Sequence, residues 1–155
     1  MKYRRLTEEE LQALEQEFVN FLAAAQITGP DWEKMKINEP QVAEELIDAF
    51  SDLVYEKVLK NIQLLEYRDA KTLNIFKFEE DKILLLGLRV KEKSEMDLTK
   101  PESFKLNNLT ISSLTVIKTE RKYSKSKEME VFELIQNGCV ITDDKLYELD
   151  RKSVV

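Results

Sequence analysis

The chain has 155 residues, 43% apolar and 35% charged, with a net charge of −6. That is too hydrophobic for a disordered chain, and long enough to bury a real core. It has no histidine, one cysteine and three glycines, which excludes His-based triads, imidazole metal ligands, intrachain disulfides and glycine-rich phosphate cradles.

The N-terminus opens Met1-Lys2-Tyr3-Arg4-Arg5 and runs into Thr7-Glu8-Glu9-Glu10 rather than an apolar stretch, so it does not read as a secretory signal. The first helix starts from Thr7 as N-cap. Glu10 completes a capping box, and Leu6 with Leu11 forms a hydrophobic staple. Leu11, Leu14, Phe18, Phe21, Leu22 and Ala25 recur at steps of three and four, which predicts one amphipathic helix to about Ile27. A short helix should follow from Pro30 and stop by Asn38, because Pro40 disfavours helix at Glu39. Pro40 then opens a long helix to about Leu65, roughly 40 Å at 1.5 Å per residue. Its main stripe is Ala43, Ile47, Phe50, Val54, Val58, Ile62 and Leu65; a second is Val42, Leu46, Ala49 and Leu53. Two adjoining stripes make a wide apolar face. A homodimer is expected if the rest of the chain leaves part of that face uncovered.

Beyond Arg68 the pattern becomes strand-like. Leu73–Phe78 and Ile83–Val90 flank the polar turn Glu79-Glu80-Asp81-Lys82, a predicted hairpin. The second arm is apolar on both faces and should be central in its sheet. Residues 91–113 carry few signals and read as a long loop. A third strand is expected over Leu114–Tyr123. Ser124 or Ser126 should cap a helix bearing Met129, Phe132 and Ile135, stopped by Asn137-Gly138. Cys139–Thr142 and Lys145–Leu149 flank Asp143-Asp144 as a second hairpin. The expected fold class is α+β: N-terminal helices, one of them long, packed on a small, mostly antiparallel sheet, with a further helix and hairpin near the C-terminus. The chain is read as a single domain over 1–155, helical over about 7–66, with hairpin, loop, strand, helix and hairpin over about 72–149.

The acid excess is confined to one half: residues 1–68 hold 8 basic and 14 acidic side chains, and residues 69–155 hold 16 of each. The charge as a whole disfavours nucleic acid and anionic lipid. One segment runs against it, since Lys118, Arg121, Lys122, Lys125 and Lys127 surround Tyr123. It is a candidate anion-binding patch, with Tyr123 able to stack on a base; a solvated strand end has the same composition. The order helix, glycine, hairpin is also that of a winged helix, but Glu128, Glu130 and Glu133 oppose a DNA-reading role. Trp32 is a candidate partner anchor, or a packing residue. Cys139 lies beyond a helix C-terminus, where the dipole disfavours a thiolate, so core packing is expected. The acids Glu79-Glu80-Asp81 and Asp143-Asp144 read as solvated turns rather than metal ligands.

The pieces Met1-Lys2-Tyr3-Arg4-Arg5-Leu6-Thr7, Phe50-Ser51-Asp52-Leu53-Val54, Ile75–Ile83 and Leu134–Thr142 resemble a family of short bacterial proteins classed only as a domain of unknown function. The likeness runs nearly end to end and is least over 91–113. It implies a bacterial, cytoplasmic, single-domain protein and carries no activity, cofactor or site residue. The composition excludes more than it assigns. The leading reading is a cytoplasmic protein-interaction or regulatory module, without catalysis or cofactor. A binder of nucleic acid or another anionic ligand through 118–127 is the alternative, and a carboxylate-dependent, metal-assisted hydrolase the third. The longest apolar run, Ile83–Leu88, is far too short to cross a bilayer.

Overall fold

The computed structural model describes residues 1–92, 95–100 and 114–142. Helices α1 (Glu8–Ala13), α2 (Glu15–Ala24), α3 (Gly29–Asn38) and α4 (Pro40–Asn61) come first. They are followed by β1 (Leu64–Arg68), β2 (Thr72–Phe78), β3 (Lys82–Val90), β4 (Leu114–Lys122), α5 (Lys127–Gln136) and β5 (Val140–Ile141). The class is α+β, and the chain divides into two compact units, Met1–Leu59 and Lys60–Val155.

In the helical unit the Thr7 capping box is present: Glu10 N–H donates to Thr7 Oγ1 at 3.2 Å and Thr7 N–H to Glu10 Oε1 at 3.0 Å. The helix that follows is not the single run expected. It breaks at Leu14 (φ −108°, ψ 25°), whose N–H is shared between the carbonyls of Glu10 and Leu11, so the stripe is split between α1 and α2. The end of α2 is set by Gln26, which takes the left-handed conformation at φ 63°. Ile27 N–H then reaches back to the carbonyl of Leu22 at 2.9 Å, the six-to-one bond of a Schellman cap. A second capping box, Thr28 with Asp31, starts α3, and α3 stops at Asn38 as the following proline requires. The aromatic core of this unit is Phe18, Phe21, Phe50 and Trp32, with ring centroids 5.0 Å apart for Phe18–Phe50 and 5.4 Å for Phe21–Phe50.

Among the described residues, the second unit carries an antiparallel sheet of five strands in the order β4-β3-β2-β1-β5. The expected hairpin is β2–β3, with Phe78 opposite Ile83 and the turn closed by Glu79 N–H on the Lys82 carbonyl. β3 is interior, as its two apolar faces require. The long helix ends earlier than expected, at Asn61, and Leu64–Arg68 is a strand. Ile62 and Leu65 continue the helical period, but two neighbours offer ladder hydrogen bonds to residues 64–68: β2 along the whole strand and β5 at Leu65 and Glu66.

Register assigns the faces. One carries Leu64, Leu73, Ile75, Leu86 and Leu114, and Leu98 packs among them with no exposed surface. The stretch 95–100 is irregular, as expected for this part of the chain, but anchored. Leu98 N–H donates to the carbonyl of Ala70 at 2.9 Å, and Lys71 Nζ to that of Met96 at 3.3 Å. The opposite face carries Leu65, Phe78 and Ile83, and α5 is tied to it through Arg121. Ser126 caps α5, its hydroxyl accepting Met129 N–H at 3.2 Å. Gly138, at φ 105°, ends the helix and leads into β5. The second arm of the C-terminal hairpin, Lys145–Leu149, and its turn Asp143-Asp144 lie outside the described residues, as do 101–113 of the expected loop.

Candidate functional site

The five cations of the basic segment do not form one surface. Strand alternation puts Lys118 and Lys122 on the sheet face of Leu86, and Arg121 on the other. Arg121 Nη1 donates to both carboxylate oxygens of Glu130, at 3.1 and 3.0 Å, and Ser124 Oγ adds a third bond at 3.1 Å. Glu130 is buried, so these bonds balance a charge removed from water. Lys125 Nζ is 2.5 Å from Glu133, and Lys127 Nζ donates to the carbonyl of Lys60 at 3.0 Å. Two of the α5 acids that oppose DNA binding, Glu130 and Glu133, thus serve as partners for Arg121 and Lys125. Tyr123 is half-buried, and its hydroxyl donates to the Glu79 carbonyl at 2.6 Å. Burial holds its phenol above the ordinary value, and likewise the thiol of Cys139.

Trp32 is half-buried, its indole edge-on to Phe18 at 5.2 Å and 81°. It packs from α3 against Phe18 of α2 and keeps part of its surface exposed. Among the described residues, no three Cys, Asp or Glu side chains are grouped so as to hold a metal ion.

The N-terminal heptapeptide is held on α4 by a row of polar side chains one turn apart. Arg5 Nε is 2.6 Å from Asp48; Asp52 accepts the N–H groups of Lys2 and Tyr3 at 2.7 and 2.9 Å; Glu56 accepts the Tyr3 hydroxyl at 2.5 Å. Arg4 is bonded to the Tyr55 hydroxyl. Between them lies Ser51, fully buried, whose hydroxyl accepts Leu6 N–H at 3.0 Å and donates to the Ile47 carbonyl at 2.8 Å. The hydrogen bond from Tyr3 holds the Glu56 carboxyl below the usual range, and Arg5 does the same for Asp48.

Another face of α4 is left open. Together with α2 it forms a groove of about 460 Å³, all within the helical unit. Leu14, Phe21 and Ala24 line the α2 wall; Phe50, Leu53, Val54 and Val58 line the α4 wall. Leu53 and Val58 are 43% and 50% exposed, large apolar side chains that burial has not claimed. One charge stands on each wall, Glu17 on α2 and Lys57 on α4, and neither has an ion-pair partner among the described residues. Sequence reasoning singled out the apolar members other than Ala24 through the helical stripes, but neither Glu17 nor Lys57. The signal available was the second stripe of α4, whose Val42, Ala49 and Leu53 all remain exposed.

The four pieces that resembled one family now have structural places: the arm, its receptor on α4, the β2–β3 hairpin, and the turn from α5 into β5. A family model matches residues 1–154. The chain belongs to the family of unknown function DUF6495. No curated protein and no solved structure matches it. The DUF6495 match runs through both compact units, so the groove-bearing helices and the sheet belong to one family unit of sequence. Among the described residues, no helix is long and apolar enough to cross a membrane.

Proposed function

We propose that this DUF6495 chain works as a protein-interaction module whose groove between α2 and α4 receives an amphipathic helix. The observation that carries this reading is the pair Leu53 and Val58, exposed on the wall of a helix-lined groove. An apolar helix face laid into such a groove recovers the burial that these side chains lack in the single chain, about 25 cal/mol per Å² of apolar area. Glu17 and Lys57, on opposite walls, would orient the incoming helix by pairing with a base on one flank and an acid on the other. Anion binding by the basic segment has weaker support, because Arg121 and Lys125 already face Glu130 and Glu133.

The test is a methyl NMR titration of the full chain, kept dilute, with a synthetic amphipathic helix carrying leucines at positions i, i+3, i+4 and i+7. Shifts should centre on Leu53, Val54 and Val58 and vanish in Leu53→Glu. Shifts scattered over the surface, or none at all, would reject the groove as a docking site.

A further inference from the structure

We infer that the helix received by the groove is α4 of a second copy of this chain, so that two copies close on each other about a two-fold axis. The inference rests on the groove reading and goes further by naming the occupant. The argument is self-complementarity. A surface that pairs with itself must contain both halves of each interaction, because in a two-fold contact residue i meets residue j while j meets i. This groove does. Its α4 wall is itself a helix with an apolar strip, Leu53 and Val58 exposed and Val54 half-buried between them, of the kind an apolar groove receives. Its two charges are of opposite sign, stand on opposite walls, and have no ion-pair partner among the described residues: Glu17 on α2 and Lys57 on α4. When α4 of one copy lies in the groove of the other, its Lys57 can meet the partner's Glu17, and the symmetry makes that pair twice.

The apolar surface also continues past the groove. Val42, Ala49 and Leu53 are the exposed members of the second stripe of α4, with Leu46 half-buried among them, which lets the contact extend along the helix rather than end at one pocket. Such a contact closes on itself and stops at two copies.

Sedimentation equilibrium of the full chain over a wide concentration range tests this. The wild-type chain should reach twice the single-chain mass. Glu17→Lys alone places two lysines opposite two lysines, and Lys57→Glu alone places two acids opposite two acids. Each should weaken dimerisation about tenfold or more. An equal mixture of the two variants should recover it, because the lysine-only groove then faces the acid-only one. Circular dichroism checks that each variant is folded, and the mixture supplies a result that misfolding cannot produce.

A wild-type chain that stays single at every concentration overturns the inference. So does a dimer that neither substitution weakens, or a mixture that fails to recover. If the chain stays single while the synthetic helix still shifts Leu53, Val54 and Val58, the self-pairing fails and the docking groove stands. If the synthetic helix is also without effect, both fail.

Discussion

Asp52 holds Tyr3 by its main chain: one carboxylate oxygen accepts Tyr3 N–H at 2.9 Å while the other accepts Lys2 N–H at 2.7 Å. Among the described residues no strand pairs with this segment, and a helix side chain satisfies its amides. Asp52→Ala should therefore cost about 1–2 kcal/mol, and Asp52→Asn, which keeps one acceptor, less. Chemical denaturation gives the size of the effect. Amide exchange at Lys2 and Tyr3 should accelerate in the alanine variant while exchange in α3 stays unchanged. Equal acceleration throughout the helical unit would show that the contact does something other than pin the arm.

The same attachment gives a pH dependence. Glu56 and Asp48 have carboxyls held below their ordinary values of 4.5 and 3.8, the first by the Tyr3 hydroxyl and the second by Arg5. A depressed carboxyl contributes stability that is present above its unfolded value and lost as pH falls through the folded one. Glu56→Gln should therefore lower Tm near neutral pH, and the gap to wild type should close on acidification below about pH 4.5. The gap is expected to be small, since Glu56 is partly exposed and solvent screens it. A Tm difference that is constant across the titration would mean that the charge of Glu56 plays no part.

Leu98 is a fully buried side chain on an irregular stretch, packed among Leu64, Leu73, Ile75, Leu86 and Leu114. Leu98→Ala should destabilise the chain by about 2–5 kcal/mol, the loss of transfer energy plus that of the cavity left behind. The neighbouring Thr99→Ala removes only an exposed bond to Asp97 and should be far milder. Urea unfolding of the two variants makes the comparison. Similar small losses for both would mean that the stretch peels away from the sheet at little cost.

Gln26 occupies a left-handed position at which a side chain is strained. Gln26→Gly relieves that strain and should raise stability by about 0.5–1 kcal/mol without altering the end of α2. A calorimetric Tm that falls would show that the glutamine side chain contributes more than its backbone costs.

Local chemistry was legible wherever the signal was local. The Thr7–Glu10 capping box, the Ser126 cap, the Asn137-Gly138 stop and the Phe78–Ile83 hairpin all follow from side chains that act within a few residues of themselves. β1 was illegible for the opposite reason. Leu65 is in phase with the stripe of α4, so the helical period runs on through it, and nothing local marks residues 64–68 as a strand. The ladders offered by β2, across the short turn 69–71, and by β5, far away in sequence, decide the matter. The break at Leu14 is similar, since an unbroken apolar stripe crosses it.

The candidate site divides in the same way. Composition and spacing excluded imidazole, intrachain-disulfide and glycine-rich phosphate-loop chemistry, because the number and spacing of residue types are the same in every fold. The segment Lys118–Lys127 reads as one basic patch because sequence shows charges but not directions; strand alternation turns Arg121 away from Lys118 and Lys122, and Glu130 and Glu133 pair with Arg121 and Lys125. Periodicity identified the apolar residues of α4, since helical spacing is a property of the chain itself. Which of them stay uncovered, and that Glu17 and Lys57 line the same groove, depends on how α2 packs against α4, and packing is settled by contacts between residues distant in sequence.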